Sequence, residues 1–334
     1  MQKASMPTAL ITGVAGFVGS SLADSLLDRG YTVRGLDNFS TGKQRNLDSL
    51  VDEPEFSFTE GDIRDADTVA DTVDGVDYVF HQAAVPSVPR SVEDPVTSTD
   101  ANCTGTATVL NEARKADVDT VVVASSSSVY GSETGLPKVE SMVSSPESPY
   151  ALSKYYTEQL AIQCSELYDI DTVALRYFNV FGPGQDPEGE YAAVIPKFIR
   201  LMSDGERPTI YGDGEQSRDF TYIHNVVEAN VLAAEGEATG TAVNIGCGER
   251  ITVNELVDRL NELLETEIEP IYDDPRPGDV RHSHADISKA TRLLGYDPNV
   301  GFNDGLQRTV DAFNSESNCS MRKQGQDELE IESH

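Results

Sequence analysis

The first thirty residues restrict the fold most, because a short strand pattern runs directly into a glycine loop and then into a helix pattern. The strand is Thr8–Thr12, the helix is Ser20–Arg29, and Gly13, Gly16 and Gly19 lie three residues apart between them. Glycines at such a turn let the backbone approach a pyrophosphate at the helix N-terminus, where free N–H groups and the helix dipole favour anions. The pattern predicts a nucleotide-binding unit.

An acidic residue follows the next predicted strand. Thr32–Leu36 delivers Asp37 about 20 residues beyond the glycine loop, where a carboxylate binds both ribose hydroxyls of NAD and repels the 2′-phosphate of NADP. The glycine spacing is Gly-x-x-Gly-x-x-Gly, not the commoner Gly-x-Gly-x-x-Gly, so the loop alone is weak evidence. Together with Asp37 it predicts NAD as the cofactor.

Strand and helix patterns continue to alternate after Asp37. Phe56–Thr59 and Tyr78–His81 read as strands, and Asp67–Val73 and Thr99–Lys115 read as helices. Repeated strand–helix units with short loops predict an α/β fold with a doubly wound parallel sheet, the Rossmann architecture.

Small or polar residues follow these strands. Asp62 is placed to accept from an adenine amine, Ala83 and Ala84 leave room for a flat cofactor, and Asn102 is placed to orient water or backbone. An ordinary structural role as a loop cap or helix residue is an equally good interpretation of each.

A serine run and a Tyr-x-x-x-Lys pair form the candidate catalytic stretch. The serines 125–128 follow the β-branched run Thr120–Ala124, at the strand end where open α/β sheets bind ligands. Tyr150 and Lys154 lie four residues apart on a helix that begins at Ser148-Pro149, so both occupy one face. A lysine charge and a cofactor cation are expected to lower the tyrosine pKa of about 10 by about 3 units and create a base. Tyr-x-x-x-Lys by itself is equally an ordinary helix face.

Composition limits the classes of partner. The 334 residues, 38% of them apolar, allow one large or two closely associated domains. The net charge of −32 excludes nucleic acid and anionic membranes as partners. The acids are scattered along the chain, which is typical of proteins from a high-salt cytoplasm, where screening makes self-repulsion tolerable.

Cysteines, histidines and the N-terminus indicate a cytoplasmic protein. The cysteines at positions 103, 164, 247 and 319 have no paired spacing and the five histidines form no ligand cluster, so we expect reduced thiols and no metal. Met1–Pro7 has no signal-peptide or lipidation pattern, and no run approaches 18 apolar residues.

Several motifs together resemble one known family. The glycine spacing, Asp37, the serine run, Tyr150-x-x-x-Lys154 and the stretch Leu175–Gly182 are similar to those of the extended short-chain dehydrogenase/reductases, the NAD-dependent epimerases and dehydratases. The likeness extends from Thr8 to about Phe313. Within this family the chain most resembles the UDP-glucose and UDP-N-acetylglucosamine 4-epimerases, through Gly35–Gly42, Ser87–Ser91, Gly135–Glu140 and Gly278–Ser283.

The resemblance implies roles for individual residues. Tyr150 would remove the proton from the sugar 4-hydroxyl, Lys154 would lower the tyrosine pKa and bind the nicotinamide ribose, and Ser126 would hydrogen-bond the same hydroxyl. Hydride would pass from sugar C4 to NAD and return to the opposite face after the 4-keto sugar swings round. The implied cofactor contacts are Gly13, Gly16, Phe17, Val18, Gly19, Asp37, Asn38, Asp62, Ile63, Gln82, Ala83, Ala84, Asn102, Tyr150, Lys154 and Tyr177. The implied substrate contacts are Ser87, Ser126, Ser127, Tyr150, Asn179, Val194, Tyr211, Arg218, Arg276, Asp279 and Ser283.

The resemblance also implies a division of the chain. Residues 6–180 and about 219–247 would form the NAD-binding domain, residues 181–218 and 248–314 a nucleotide-sugar-binding lobe, and residues 315–334 a disordered tail. Two arginines of the lobe, Arg218 and Arg276, suit a diphosphate, although Arg218 beside Asp219 would equally make a surface ion pair. A homodimer is implied through the helices Thr99–Lys115 and Tyr150–Tyr168.

Other activities on this scaffold stay open. A dehydratase or decarboxylase of the family carries acids just before the Tyr-Gly pair, where this chain has Ser127 and Ser128, so elimination is disfavoured. A non-catalytic NAD-binding protein is disfavoured because Ser126, Tyr150 and Lys154 are all present. A UDP-glucuronate 4-epimerase is the nearest alternative. The residue four after Asp279 faces the sugar C2 substituent in the family, and Ser283 there leaves room for an acetamido group, or else simply begins a turn.

Overall fold

The central sheet carries the site. The computed structural model describes residues 6–132, 135–188, 192–275 and 280–315. Its strands are β1 (Thr8–Thr12), β2 (Thr32–Asp37), β3 (Phe56–Glu60), β4 (Tyr78–His81), β5 (Thr120–Ser126), β6 (Asp171–Tyr177), β7 (Val180–Phe181), β8 (Thr209–Tyr211), β9 (Ser217–Arg218), β10 (Thr221–Tyr222), β11 (Thr241–Ile245), β12 (Ile251–Thr252) and β13 (Ile271–Asp273).

Within the described ranges, seven strands pair in the order β11-β6-β5-β4-β1-β2-β3, and every pairing is parallel. The order reverses between β1 and β4, and ligands bind beside such a switch point at the carboxyl ends of the strands. The prediction of a doubly wound parallel sheet is therefore confirmed. The remaining strands form three short pairs, β10 with β7, β12 with β9 and β13 with β8.

Helices cover both faces of the sheet. They are α1 (Phe17–Asp28), α2 (Ala66–Val73), α3 (Val88–Glu93), α4 (Pro95–Thr99), α5 (Gly105–Lys115), α6 (Pro149–Leu167), α7 (Val194–Ser203), α8 (Ile223–Glu235), α9 (Val253–Leu264), α10 (Ser288–Leu294) and α11 (residues 302–315). No helix in these ranges combines the length and apolarity that crossing a membrane requires.

The central strand β5 explains why the sheet is buried on both sides. Its apolar residues, Val121, Val122 and Val123, are fully buried, and two separate apolar clusters pack on the two sheet faces. Burial on both faces is what a continuous β-branched run predicts. Its polar residues lie at its two ends, Thr120 at the start and Ser125 and Ser126 at the carboxyl end, where the strand leaves the core.

Helix α6 begins where the sequence indicates. The Ser148 hydroxyl accepts a 3.1 Å hydrogen bond from Ala151 N, and Pro149 occupies the first helical position, where its missing N–H costs nothing. This cap fixes the entry point of the helix, and with it the height of Tyr150 above the sheet.

Most predicted elements agree with the structure to within a few residues, and one predicted helix differs. The predicted helix Thr99–Lys115 is interrupted, because residues Asp100–Thr104 form a π-helical segment before α5 begins. The structure also has a short helix, α3, between β4 and α4 that the sequence analysis did not predict.

The chain leaves the central sheet after β6 and returns to it with β11, which pairs with β6 from Thr241↔Val173 to Ile245↔Tyr177. The predicted tail from residue 315 lies outside the described residues, except for Ser315 at the end of α11. The domain boundaries themselves remain a proposal.

Candidate active site

One large cleft runs along the carboxyl ends of the central strands. Its volume is about 1340 Å³, more than the 300–1,000 Å³ of a typical drug-sized ligand site, so it has room for two ligands side by side. The predicted residues that line it are Gly13, Gly16, Phe17, Val18, Gly19, Asp37, Asn38, Asp62, Ile63, Gln82, Ala83, Ala84, Ser87, Ser126, Ser127, Tyr150, Lys154, Tyr177, Asn179, Val194, Tyr211, Arg218 and Ser283.

The glycine loop brings backbone against backbone. Gly13 has φ +74, and a Cβ there would lie 2.7 Å from Ala83 Cα; a Cβ on Gly19 would lie 2.1 Å from the Gly13 carbonyl oxygen. Gly16, which precedes α1, has no side chain to cap the helix. The first N–H groups of α1 are therefore not capped by a side chain. A bare helix N-terminus with this close approach fits a pyrophosphate.

Asp37 lies at the carboxyl end of β2 with both oxygens oriented by the backbone. Oδ2 accepts from Ala15 N at 2.9 Å and Oδ1 accepts from Phe39 N at 2.8 Å. Burial raises the pKa of this carboxyl, and the backbone hydrogen bonds oppose that rise. A carboxylate oxygen can accept more than one hydrogen bond, so each oxygen of Asp37 can also accept one from a ribose hydroxyl.

Asp62 is also held in place. Its carboxylate accepts from Arg64 Nε at 2.9 Å and Arg64 Nη2 at 2.7 Å, and from Asn38 Nδ2 at 2.9 Å. The hydrogen bonds from Arg64 hold the pKa of Asp62 well below its usual range. Asp62 is therefore anionic, and it forms one wall of the cleft beside Ile63.

A polar cluster closes the floor of the cleft between the carboxyl ends of β4 and β6. The Tyr177 hydroxyl lies 3.2 Å from Gln82 Oε1 and 2.8 Å from Asn230 Nδ2, and Gln82 Nε2 donates to Asn230 Oδ1 at 3.0 Å. Asn230 lies on α8, outside every motif that the sequence analysis singled out. A buried asparagine does not by itself distinguish it, because Asn225 of the same helix is also buried.

Ser126, Tyr150 and Lys154 come together at the carboxyl end of β5. Ser126 hydrogen-bonds the Tyr150 phenol and also accepts from Ser128 N at 3.2 Å. Lys154 is 5% exposed, and its Nζ donates to the Ala124 carbonyl at 2.8 Å. The three side chains therefore face one position in the cleft.

The expected lowering of the Tyr150 pKa is not produced by the protein alone. Burial raises the pKa of the phenol, and the Ser126 hydrogen bond offsets this only in part. Burial lowers the pKa of Lys154 to about 8. Desolvation outweighs the Ser126 hydrogen bond at the phenol, and a cation bound in the cleft would favour the phenolate.

His81 supports this region from below. Its Nδ1 lies 2.7 Å from Thr12 Oγ1 and its Nε2 2.9 Å from Thr106 Oγ1, and it is 2% exposed. Burial, with a smaller contribution from Lys154, lowers its pKa to about 3. A neutral histidine therefore joins β1, β4 and α5 beneath the cofactor side of the cleft.

The other wall of the cleft carries the predicted substrate residues. Val194 begins α7, Tyr211 ends β8, and Arg218 lies on β9 with Nη1 donating to the Ser217 carbonyl at 3.0 Å. The neighbouring Asp219 instead accepts from the backbone N–H groups of residues 247, 248 and 285.

Ser283 also faces the cleft. It is 9% exposed, and its hydroxyl oxygen has no hydrogen-bond partner among the described residues. A buried hydroxyl without a protein partner is uncommon, and one that borders a ligand cleft has capacity to bind a ligand atom.

Three predicted site residues are not among those that line the cleft. Arg276 and Asp279 lie outside the described residues. Asn102 does not line the cleft: its Oδ1 accepts from Val85 N at 2.7 Å and its Nδ2 donates to Ser153 Oγ at 2.9 Å. It thus orients backbone, the second of the two functions that the sequence suggested, and it fastens the loop after β4 to α6.

A link across the mouth of the cleft was not predicted. Lys43 and Arg45, on the loop after β2, both pair with Asp186, on the loop after β7, with Arg45 Nη2 3.2 Å from Asp186 Oδ1. Arg45 and Asp186 are separated by 141 residues in sequence. No local pattern connects such distant positions.

Comparisons with known proteins agree with this geometry. A sequence model described as "NAD dependent epimerase/dehydratase family" matches residues 9–246. A putative UDP-glucose 4-epimerase of Methanocaldococcus jannaschii is 42% identical over 303 residues, covering 90% of this chain and 96% of that protein.

Two solved structures have closely similar folds. A UDP-N-acetylglucosamine 4-epimerase from Methanobrevibacter ruminantium, in complex with UDP-N-acetylmuramic acid, has a TM-score of 0.89 and 40% identity, covering 93% of this chain and 99% of that one. A UDP-glucose 4-epimerase from Thermotoga maritima, solved with UDP-glucose, has a TM-score of 0.88 and 38% identity, covering 92% and 99%.

Proposed function

This chain belongs to the NAD dependent epimerase/dehydratase family, and we propose that it is a UDP-sugar 4-epimerase that interconverts UDP-GlcNAc and UDP-GalNAc. UDP-glucose and UDP-galactose are proposed as weaker substrates. The observation that carries the proposal is the grouping of Ser126, Tyr150 and Lys154 in one cleft with the glycine loop and Ser283.

The protein supplies proton transfer at the sugar 4-hydroxyl. The Tyr150 phenolate accepts the hydroxyl proton as the C4–H bond breaks, and Ser126, already hydrogen-bonded to the phenol, orders the substrate oxygen beside it. Lys154, held by the Ala124 carbonyl, fixes a positive charge next to this proton path. The same phenol returns its proton to the 4-keto oxygen in the second half-reaction.

NAD is the cofactor, and when bound it takes the hydride from sugar C4 and returns it to the opposite face. The residues proposed to hold it are the glycine loop at its pyrophosphate, Asp37 at its adenosine ribose and Asp62 with Asn38 near its adenine. The close approach of Gly13 to Ala83 leaves no room for a side chain at residue 13.

Epimerisation requires the 4-keto sugar to turn over while its nucleotide stays bound. We place the diphosphate near Arg218, whose guanidinium offers paired donors to phosphate oxygens, and the uracil between Val194 and Tyr211. These groups lie on the wall opposite the glycine loop. A nucleotide anchored there leaves the sugar free to present either face to the nicotinamide.

Ser283 is proposed to decide which sugars enter. Its hydroxyl has no partner among the described residues and can hydrogen-bond an acetamido group. Its small side chain leaves room for a large substituent at C2 of the sugar. The Methanobrevibacter relative, a UDP-N-acetylglucosamine 4-epimerase solved with UDP-N-acetylmuramic acid, acts on and holds N-acetylated sugars, which supports this choice.

Two further features belong to the proposal. Residues 6–180 with about 219–247 would form the NAD-binding domain, and residues 181–218 with 248–314 the sugar-binding lobe. A homodimer through residues 99–115 and α6 would bury the apolar side chains that α6 and the adjacent helices α3 and α4 expose to solvent, namely Leu152, Tyr156, Val92 and Val96, which are 42–77% exposed. Light scattering on wild type and Leu152→Glu tests this, and a monomeric wild type contradicts it.

The function is tested by incubating the purified protein with UDP-GlcNAc, UDP-glucose and UDP-glucuronate and resolving the products by NMR. We expect UDP-GalNAc from the first, with the highest kcat/KM, and UDP-galactose from the second. Turnover of UDP-glucuronate alone would favour the alternative epimerase. Loss of water from a substrate, as the C5 proton and the 6-hydroxyl beside a 4-keto group, would instead indicate a dehydratase, for which Ser127 and Ser128 offer no acid.

A further inference from the structure

Three side chains of α6 lie on one stripe of the helix and all face the sheet. Tyr150, Lys154 and Glu158 are spaced four residues apart, so they occupy successive turns of one face. Glu158 is completely buried. A buried carboxylate one turn beyond the lysine has no role in the proton transfer described above.

Each of these side chains bonds to a different one of the last three residues of β5. Tyr150 bonds to Ser126, Lys154 Nζ donates to the Ala124 carbonyl at 2.8 Å, and Glu158 Oε2 accepts from Ser125 Oγ at 3.0 Å. The helix is therefore fastened to the carboxyl end of the strand at three consecutive turns.

Glu158 extends this attachment to the next strand. Arg176 on β6 donates to it through two nitrogens, Nε to Oε2 at 2.8 Å and Nη2 to Oε1 at 2.6 Å. Arg176 pairs in register with Ser125, and the next pair in the register is Ser126 with Tyr177. One carboxylate thus joins α6, β5 and β6 directly beside Ser126 and Tyr177, both of which line the cleft.

The far side of Arg176 is also fixed. Its guanidinium lies 4.8 Å from the centre of the Tyr130 ring, and the Tyr130 hydroxyl donates to Asn244 Oδ1, on β11, at 2.7 Å. A bidentate pair held on both sides has one geometry, whereas an apolar pair of the same volume would slide. Buried ion pairs contribute little net stability, so fixed geometry is what this one adds to the fold.

We propose that Glu158 is a positioning residue for the 4-epimerase reaction, fixing the register and rotation of α6 on β5 so that Tyr150 and Lys154 stay in reach of Ser126 and the Ala124 carbonyl. This inference rests on the proposed function for its kinetic readout. Its structural content, the alignment of the Tyr150 phenol with Ser126, can be measured without any substrate.

The first test is Glu158→Gln, which keeps the shape and removes the charge that fixes Arg176. We expect kcat to fall about 10- to 100-fold, the range expected for a small misplacement of reacting groups, while KM for the UDP-sugar stays within about twofold. The matched control is Glu112→Gln, another buried glutamate, on α5, which pairs with Lys115 away from the cleft. It should keep wild-type kcat.

The decisive variant is Glu158→Leu with Arg176→Met, which removes both charges and leaves an apolar pair that can fold. The Tyr150 phenolate is titrated by ultraviolet difference spectra against the same protein carrying Tyr150→Phe. We expect a higher Tyr150 pKa than in wild type, because the Ser126 hydrogen bond that lowers it is loosened. If the double variant keeps the wild-type phenol pKa and regains wild-type kcat and thermal stability, the positioning role is wrong. If wild type epimerises no UDP-sugar, the proposed function fails, but the titration still decides this inference.

Discussion

Lys154 donates its 2.8 Å hydrogen bond to the backbone of β5, at Ala124, and not to the side chain of Tyr150. The ammonium is thus fixed by the sheet itself, at a carbonyl two residues before Ser126. Because a backbone carbonyl does not move with the substrate, the charge has the same position in both halves of the proposed reaction.

Tyr150→Phe should remove the base and keep the fold, because the ring and its packing are retained. We expect turnover of UDP-GlcNAc to fall by about 10² to 10⁴, the usual contribution of general acid–base catalysis, with NAD content unchanged. Tyr156→Phe, on the exposed side of the same helix, is the matched control. Wild-type turnover in Tyr150→Phe would show that another group moves the proton.

Asp37 should determine the choice of NAD over NADP. Asp37→Asn keeps one acceptor oxygen for a backbone N–H and removes the negative charge. Asp37→Arg replaces the negative charge with a positive one. We expect NAD affinity to fall about 10-fold in the first and further in the second, with NADP binding gained in the second. Calorimetric titration with both cofactors measures this, with the exposed Asp52→Asn as control. A wild type that prefers NADP would contradict the assignment.

Ser283→Tyr should abolish turnover of the N-acetylated sugars and spare UDP-glucose, because the tyrosine ring would fill the space that an acetamido group needs. Ser283→Ala, which changes only the hydroxyl, should retain both activities and bind UDP-GlcNAc more weakly. The measurement is kcat/KM for both sugar pairs in all three proteins. Continued turnover of UDP-GlcNAc by Ser283→Tyr would place the C2 substituent elsewhere.

His81 should make the protein less stable as the pH falls. Its folded pKa is depressed from 6.5 to about 3, so between these values the unfolded chain binds one more proton than the folded chain. The free energy of unfolding should therefore lose about 1.4 kcal/mol per pH unit from this group below pH 6.5. His81→Asn removes that component, and the stability difference between wild type and variant should narrow as the pH falls.

Denaturant unfolding at several pH values between about 6.5 and about 5 checks this dependence. The control is His224→Asn, which replaces an exposed histidine on α8 and leaves His81 in place. A stability difference between wild type and His81→Asn that does not change with pH would mean that His81 is protonated in the folded protein.

The acidic surface should make stability depend on salt. With 57 acidic and 25 basic residues, 32 negative charges remain unbalanced, and molar salt screens them over a few ångström. We expect the melting temperature to rise steeply between dilute buffer and molar potassium chloride. Equal concentrations of sucrose separate screening from general solute effects. A flat melting temperature in salt would remove the inference of a high-salt origin.

The sequence predicted the parts of the site that arise within single strand–loop–helix units. The glycine loop, Asp37 and the Tyr150–Lys154 pair each depend on local spacing, and all of them line the cleft. The link between Arg45 and Asp186 and the pair between Glu158 and Arg176 join separate units, so no local period indicates them. The direction of the Tyr150 pKa shift was also not predictable, since it depends on how completely the phenol is desolvated.

The return of the chain to the sheet as β11 has a consequence for fragments of this protein. A fragment that stops after β7 would leave β6, with its apolar residues Val173 and Leu175, as an open edge of the sheet. Unpaired edges recruit strands from other molecules, so such a fragment should aggregate even if its cofactor half folds. A soluble fragment would have to carry residues 219–247 as well, because they contain β11, the strand that pairs with the open edge of β6.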